Sequence, residues 1–458
     1  MTQGGKMPEA FDLLIRGGVV VTGARMARAD VGVRGETIAA VASDLPTEGA
    51  RRVVDAAGKL VLPGVIDVHT HPVYLDDIHH TSITAAFGGT TTCIHYAYAR
   101  PGMKVLDSLR RFRDDGLENS LTDFGLHAGL FDVAKQIEEL PQALELGVTS
   151  FKVFMTYARI KWMTDDYWLM ALLDLIGQEG GMVAVHAENG LATDYLQDKY
   201  NRTALSALQA FTRTRPDVLE AEAINRAIAM AKVADCALYI PHVSATKALD
   251  PIRRAREEGQ IVYAESCPQY LTLTEETLHK RGPQAKIGPP LRTPEDNAGL
   301  WRGIQDGTMD TVASDHAPKA KHADDDFFEA PYGSPQAETL LTVTHDAGVN
   351  GDRIGLPRLV QLLSETPAKI FGYYPQKGAI APGSDADLVI FDPAERWTIQ
   401  HANQHSQANY TLYEGRECLG RPVWVMQRGR VLIEDGQLVG TQGEACYLPT
   451  QSAVNGLS

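Results

Sequence analysis

The middle of the chain repeats a unit: a short apolar stretch, a polar loop, then a helical pattern. β-rich segments of matching texture lie at both ends. Eight such units predict a parallel sheet with right-handed crossovers, and eight is the number that closes a barrel. The expected fold class is therefore α/β: a (β/α)8 TIM-type barrel with a small β-sandwich formed by both chain termini. The expected division is residues 1–60 plus 376–458 for the sandwich and C-terminal tail, with 61–375 for the barrel. An open doubly wound sheet is the alternative. It usually carries a glycine-rich dinucleotide or phosphate turn, and the chain contains neither GxGxxG nor GxxxxGK.

Taken in order, Phe11–Gly23 reads as a hairpin folded at Gly17-Gly18, and Ala29–Val41 as another turning near Gly35-Glu36. These strands are too few to bury a core alone. Partners of the same texture stand far away in sequence, at Ala386–Phe391, Val423–Met426 and Arg430–Ile433. Barrel strands are expected at 61–69 (broken once at Pro63-Gly64), 91–96, 124–131, 149–154, 183–188, 238–244, 261–266 and 311–315. The clearest helical patterns are 105–115, 167–179, 219–234 and 245–258. In the third, Leu219, Ala223, Ala227, Met230 and Ala234 recur at the spacing of a buried face.

Composition narrows the function classes. A chain of 458 residues with 44% hydrophobic and 22% charged residues suits a globular enzyme of one large and one small domain. A net charge of −15 argues against nucleic acid or an anionic membrane as partner. Five cysteines without a CxxC pair indicate neither a disulfide framework nor a cysteine-type zinc site. The polar start, Met1 to Ala10, lacks the apolar run of a signal peptide, and no stretch is apolar enough for a membrane helix. A cytoplasmic location is the expectation.

Chemistry in such a barrel gathers where strands end. The first strand ends in His69 and His71, two apart and so on one side of the sheet. His186, His242 and Asp315 close the fifth, sixth and eighth strands. Any one alone is more often a hydrogen-bonded core residue. Four histidines and an aspartate at matching places on different strands point instead to divalent metal. Lys152 lies among apolar neighbours in the fourth strand. Desolvation lowers a lysine's pKa and leaves an amine able to add carbon dioxide, giving a carbamate suited to bridging two metals. A lysine paired with a nearby carboxylate is the alternative, and the residue's chemistry does not choose between them.

Several longer stretches carry a resemblance: Pro63–His71, Ala86–Thr91, Phe151–Tyr157, Val185–Gly190, Cys267–Leu271, Pro289–Arg292, Ser314-Asp315 and Gly383–Asp392. Through them nearly the whole chain resembles the cyclic amidohydrolases of the amidohydrolase superfamily, especially the hydantoinase/dihydropyrimidinase family. The resemblance implies two divalent metal ions, usually Zn2+. His69, His71, carboxylated Lys152 and Asp315 would hold one, and Lys152, His186 and His242 the other. It implies ring opening of a 5-substituted hydantoin or dihydropyrimidine to an N-carbamoyl amino acid by a metal-bridging hydroxide. Asp315 would serve in turn as base and acid, and Tyr157 would stabilise the oxyanion. It also implies substrate contacts at Tyr157, Gly288 and Tyr332, and a homotetramer.

The chain departs from the family pattern at Pro72–Asp77, which is short, at Gly288, usually serine, and at Tyr332, usually asparagine. Ser314–Pro318 and Phe328–Pro331 look more like dihydroorotase or allantoinase. Against dihydroorotase, its carboxylate-binding arginine is Val73 here. Allantoinase or another cyclic imide or ureide hydrolase is therefore the second expectation. A non-catalytic dihydropyrimidinase-like scaffold is the remote one, opposed by six filled ligand positions.

Overall fold

A computed structural model describes residues 10–450; residues 1–9 and 451–458, and with them most of the polar N-terminal stretch, lie outside it. Eight strands pair side by side in chain order: Val65–Thr70, Thr90–Ala99, Asp123–Leu130, Ser150–Phe154, Met182–His186, Ala237–Ile240, Val262–Ser266 and Thr311–Val312. All the pairings are parallel. The ring closes through Thr70 and His316. The His71 N–H donates to the His316 carbonyl (2.9 Å), and the His316 N–H to the His69 carbonyl (3.2 Å). The expected (β/α)8 barrel is therefore formed.

Ile66, Val68, Ile94, Met182, Tyr239 and Tyr263, from strands around the ring, make one buried cluster with Phe371. Regular alternation after Val68 would turn His69 away from that cluster. The pairing of the first strand with the second is irregular between Asp67 and Thr70, and such a bulge re-aims the side chains that follow it.

Helices Val105–Asn119, Asp166–Gln178 and Asp217–Val233 cover the strands near the expected positions. The 245–258 pattern divides into a short 3-10 turn, Thr246–Ala248, and the helix Leu249–Glu257. The buried face of Asp217–Val233 differs from the expected one: Glu220, Ala223, Ile224, Ala227, Ile228 and Ala231 point inward. Glu220 turns in because Arg292 Nη2 (2.8 Å) and the Ser244 backbone N–H (2.8 Å) donate to it, which rotates the face away from Leu219 and Met230.

Two further sheets flank the barrel. A four-stranded sheet contains Leu13–Arg16, Asp30–Arg34, Thr37–Ala42 and Arg52–Asp55. A seven-stranded sheet joins N-terminal strands Val19–Val21, Met26–Arg28 and Leu60–Pro63 to C-terminal strands from Leu388–Ile399 to Gln437–Leu438. Leu13, Ile15, Val31, Val33, Val61, Leu388, Ile390 and Trp424 meet in the core between them. The hairpin expected at Gly17-Gly18 does not form. Leu13–Arg16 and Val19–Val21 lie in different sheets, because Gly17 (φ 74°) carries the chain across the sandwich. The hairpin at Gly35 forms, with Arg34 opposite Thr37.

Leu60–Pro63 pairs with Leu388–Phe391, whereas Val65–Thr70 belongs to the barrel, so the chain passes between the two units at Gly64. A Cβ there would lie 2.0 Å from Thr91 Oγ1. Among the described residues no helix is long and apolar enough to cross a membrane.

Candidate metal centre and active site

The first strand's bulge and the loop after the eighth strand bring three ligands together. His69 Nε2 and His71 Nε2 each lie 3.1 Å from Asp315 Oδ1. Across the cavity the His186 and His242 rings stand 4.5 Å apart, and His242 lies 5.4 Å from His69, centre to centre. His186 ends its strand; His242 follows Pro241, which cannot donate to the ladder and so ends the sixth strand early. Lys152 is buried within the fourth strand, and its Nζ has no hydrogen-bond partner among the described residues. All six side chains line one cavity of about 410 Å³. The structure thus brings together every residue expected to bind metal.

The electrostatics suit a cation. Burial pushes the Lys152 ammonium down to about 7, which favours the neutral amine. Burial likewise pushes His71 down to about 4 and lowers His186 and His242, leaving lone pairs for a metal. His69 runs the other way. Burial works against its charge, but the carboxylates of Glu265 and Asp315 outweigh it and raise the imidazole to about 9. For Asp315, burial favours the acid, yet His69 and His71 hold it well below the usual carboxylate range.

Behind the candidate ligands stands a shell of hydrogen-bond partners. Glu265 Oε1 lies 2.6 Å from His69 Nδ1, Tyr98 Oη 2.8 Å from His71 Nδ1, and Glu188 2.8 Å from His186 Nε2. Glu188 is in turn held by Arg215 at 2.6 Å. Such partners fix the ring orientation of a ligating histidine.

Three site residues, Tyr157 (φ 66°), His242 (φ 44°) and Asp315 (φ 53°), occupy the left-handed region although none is glycine. Strain of this kind persists where surrounding structure over-determines it, and it gathers at active sites.

Tyr157, Gly288 and Tyr332 line the same cavity. The Tyr157 ring lies 5.3 Å from His186 and 5.7 Å from Tyr332. Burial holds its phenol well above the usual range, so the hydroxyl stays protonated and donates. A Cβ at Gly288 would come within 2.9 Å of that hydroxyl and 3.1 Å of the Tyr332 ring. The short segment 72–77 is pinned by Asp76, which pairs with His316 Nε2 (2.9 Å) and accepts from the Gln407 N–H (2.8 Å). Tyr74 from this segment reaches the cavity, while Val73 packs against the aromatic cluster of Tyr96, Tyr98, Phe131 and Phe154.

A second group of carboxylates, Asp123, Asp385 and Asp387, also lies within ligand distance. Lys377 Nζ occupies its centre at 2.6, 2.9 and 2.8 Å and Arg428 adds a second cation on Asp123 (3.0 Å), so the group is an ion-paired link between the third barrel strand and the segment leading to Leu388–Ile399.

A profile of the amidohydrolase family matches residues 60–432. The chain belongs to the amidohydrolase family. The chain is 37% identical over 454 residues to a D-hydantoinase of Ralstonia pickettii, covering 96% of this chain and 98% of that one. Among solved structures, this amidohydrolase superposes on a dihydropyrimidinase from Brevibacillus agri NCHU1002 with a TM-score of 0.91 at 36% identity, covering 96% and 98% of the two chains. It superposes on an L-hydantoinase (dihydropyrimidinase) from Arthrobacter aurescens with a TM-score of 0.90 at 32% identity, covering 96% and 100%.

Sequence reasoning missed the supporting shell. Glu265 left a signal, a carboxylate inside the apolar strand Val262–Ser266. Tyr98 follows Tyr96 by two in the second strand. Arg215, Lys286 and Lys319, which also line the cavity, lie outside the barrel strands, where no periodicity marks them.

Proposed function

We propose that this amidohydrolase opens cyclic amides, converting a 5-substituted hydantoin or a dihydropyrimidine to an N-carbamoyl amino acid. The observation that carries the reading is the convergence of four histidines, one aspartate and a buried, unpartnered lysine on one cavity. An ammonium paired with a carboxylate, the alternative for Lys152, has no contact to support it among the described residues.

The donor set suits two divalent ions, Zn2+ by family resemblance. His69, His71, Lys152 and Asp315 would hold one, and Lys152, His186 and His242 the other, with Lys152 as its carbamate. When bound, such ions supply an activated water and polarise the scissile carbonyl. The chain's own residues do the rest. Asp315, kept ionised by His69 and His71, accepts a proton and delivers it to the leaving ring nitrogen. Tyr157 donates its hydroxyl hydrogen to the oxygen on which negative charge develops. Gly288 leaves room for the substrate ring beside Tyr157, and Tyr332 walls its other side.

The division into 1–60 plus 376–458 and 61–375 belongs to the same reading, although Leu60–Pro63 pairs within the sandwich and the chain changes sheet at Gly64, just past that boundary. The homotetramer rests on family resemblance, and the cytoplasmic location on five unpaired cysteines. Light scattering tests the first.

Lys152→Ala tests the core of the proposal. It should lose metal and activity together, whereas full activity with metal retained would refute the bridging role. Turnover of hydantoins, dihydrouracil, allantoin, dihydroorotate and simple imides by the metal-loaded protein tests the substrate. Strong preference for allantoin or dihydroorotate would overturn the first choice.

A further inference from the structure

The cavity holds more positive charge than its chemistry uses. Arg159, Arg215, Lys286 and Lys319 all line it, in a chain whose net charge is −15. The arginines are matched: Arg215 by Glu188 at 2.6 Å, and Arg159 by Asp194 (3.3 Å) and Asp198 (2.6 Å). The lysines are not. Among the described residues, Lys286 Nζ donates to the Phe328 carbonyl (2.8 Å) and lies 4.7 Å from the Tyr332 ring centre, without an ion pair. Lys319 Nζ lies over the Tyr74 ring and likewise has no ion pair.

Their surroundings add to the imbalance. Lys321, buried behind them, gives its ammonium to the carbonyls of Gln284 (3.2 Å) and Lys286 (2.8 Å), and Arg100 is the charged neighbour of Lys319. The carboxylates that act on Lys286, Asp326 and Glu329, are both exposed, and Glu329 also lines the cavity, but neither forms an ion pair with the lysine. Burial without a counter-ion pushes Lys286 down to about 8 and Lys319 down to about 7. An unmatched ammonium in a partly desolvated cavity is costly and gives up its proton more readily, and an anionic ligand beside it restores the charged form.

We propose that Lys286 and Lys319 form an anion-binding wall of the substrate cavity, selecting cyclic amides whose ring substituent carries a carboxylate. This inference rests on the hydrolase reading above and names its substrate class. Tyr332 and Tyr74, one under each lysine, hold the ammonium groups over aromatic faces and leave their remaining hydrogens for the ligand. Against the overall negative charge of the chain, a local positive cavity also concentrates an anionic substrate where it is needed.

The test compares 5-(2-carboxyethyl)hydantoin with its neutral isostere 5-(2-carbamoylethyl)hydantoin on the metal-loaded protein. A charge-assisted contact of ordinary strength gives the carboxylate an advantage of about 10- to 100-fold in kcat/KM, carried by KM and shrinking as salt rises. The carboxylate-to-carboxamide ratio should fall in Lys286→Gln and in Lys319→Gln and approach unity in the double variant, with metal content retained. Equal or better turnover of the carboxamide by the wild type, or a double variant that keeps the preference, overturns the proposal while leaving the hydrolase reading intact. Failure to open either compound, with hydantoin and dihydrouracil also inert, overturns both.

Discussion

Glu265 offers the sharpest test of how the centre is held. Its side chain is fully buried, and it accepts at three points: from His69 Nδ1 at 2.6 Å and the His242 backbone N–H at 3.0 Å on Oε1, and from Tyr239 Oη at 2.9 Å on Oε2. One carboxylate thus positions a proposed ligand of each metal. Glu265→Gln keeps the shape and removes the charge. Its amide nitrogen must take the Oε2 position, where Tyr239 can turn its hydroxyl hydrogen toward Thr311 Oγ1 (2.9 Å) and accept instead. The fold should therefore survive. What is lost is the charge assistance to His69. Outer-shell changes of this kind cost about 10- to 100-fold in metal affinity, or about 1.4–2.8 kcal/mol.

One effect opposes the loss. Glu265 helps raise His69 to about 9 in the metal-free protein, so its removal lightens proton competition for the ring. A divalent ion gains about twice as much from the carboxylate as a proton does at the same place, so the net sign remains a loss of affinity. Chelator competition with metal analysis measures it, and thermal unfolding confirms the fold. A Glu265→Gln protein that binds both metals as tightly as the wild type would refute the positioning role.

Three further outcomes are expected. Gly288→Ala places a methyl 2.9 Å from the Tyr157 hydroxyl, and displacing that donor should lower kcat/KM by about 10- to 100-fold without changing the melting temperature much. Lys377→Met removes the ammonium shared by three buried carboxylates, of which Asp123 alone keeps a second cation in Arg428 (3.0 Å), and should destabilise the protein by about 3–5 kcal/mol, read by denaturant unfolding. Lys286 is lowered by burial from 10.5 to about 8, so between those values the unfolded chain binds a proton that the native chain does not. Its contribution to stability therefore rises with pH across that window, and Lys286→Gln should flatten the slope.

The barrel and the proposed metal ligands were legible for one reason. A ligand that closes an apolar strand stands out against its own segment, as His186 does after Met182–Val185 and Lys152 does within Ser150–Phe154. Period and position then carry the inference without knowledge of distant contacts. The N-terminal hairpin failed because two short apolar strands with glycines between them look alike whether they pair or part. Leu13–Arg16 pairs instead with segments 31–33 and 52–55, and Val19–Val21 with segments 26–28 and 60–61, so the choice of sheet rests on partners beyond the glycine turn. The buried face of Asp217–Val233 shifted for a similar reason, since Glu220 reads as a surface residue until Arg292 and Ser244 are placed beside it.

By itself, then, the sequence determined that strand-end side chains with lone pairs would crowd one end of a parallel barrel, because strand period and crossover handedness are local rules. Tertiary structure alone decided what surrounds them: the bulge that aims His69, the Glu265 and Tyr98 contacts that orient the ligands, and the unmatched Lys286 and Lys319. Those features depend on contacts between distant segments, and no local pattern in the chain encodes such contacts.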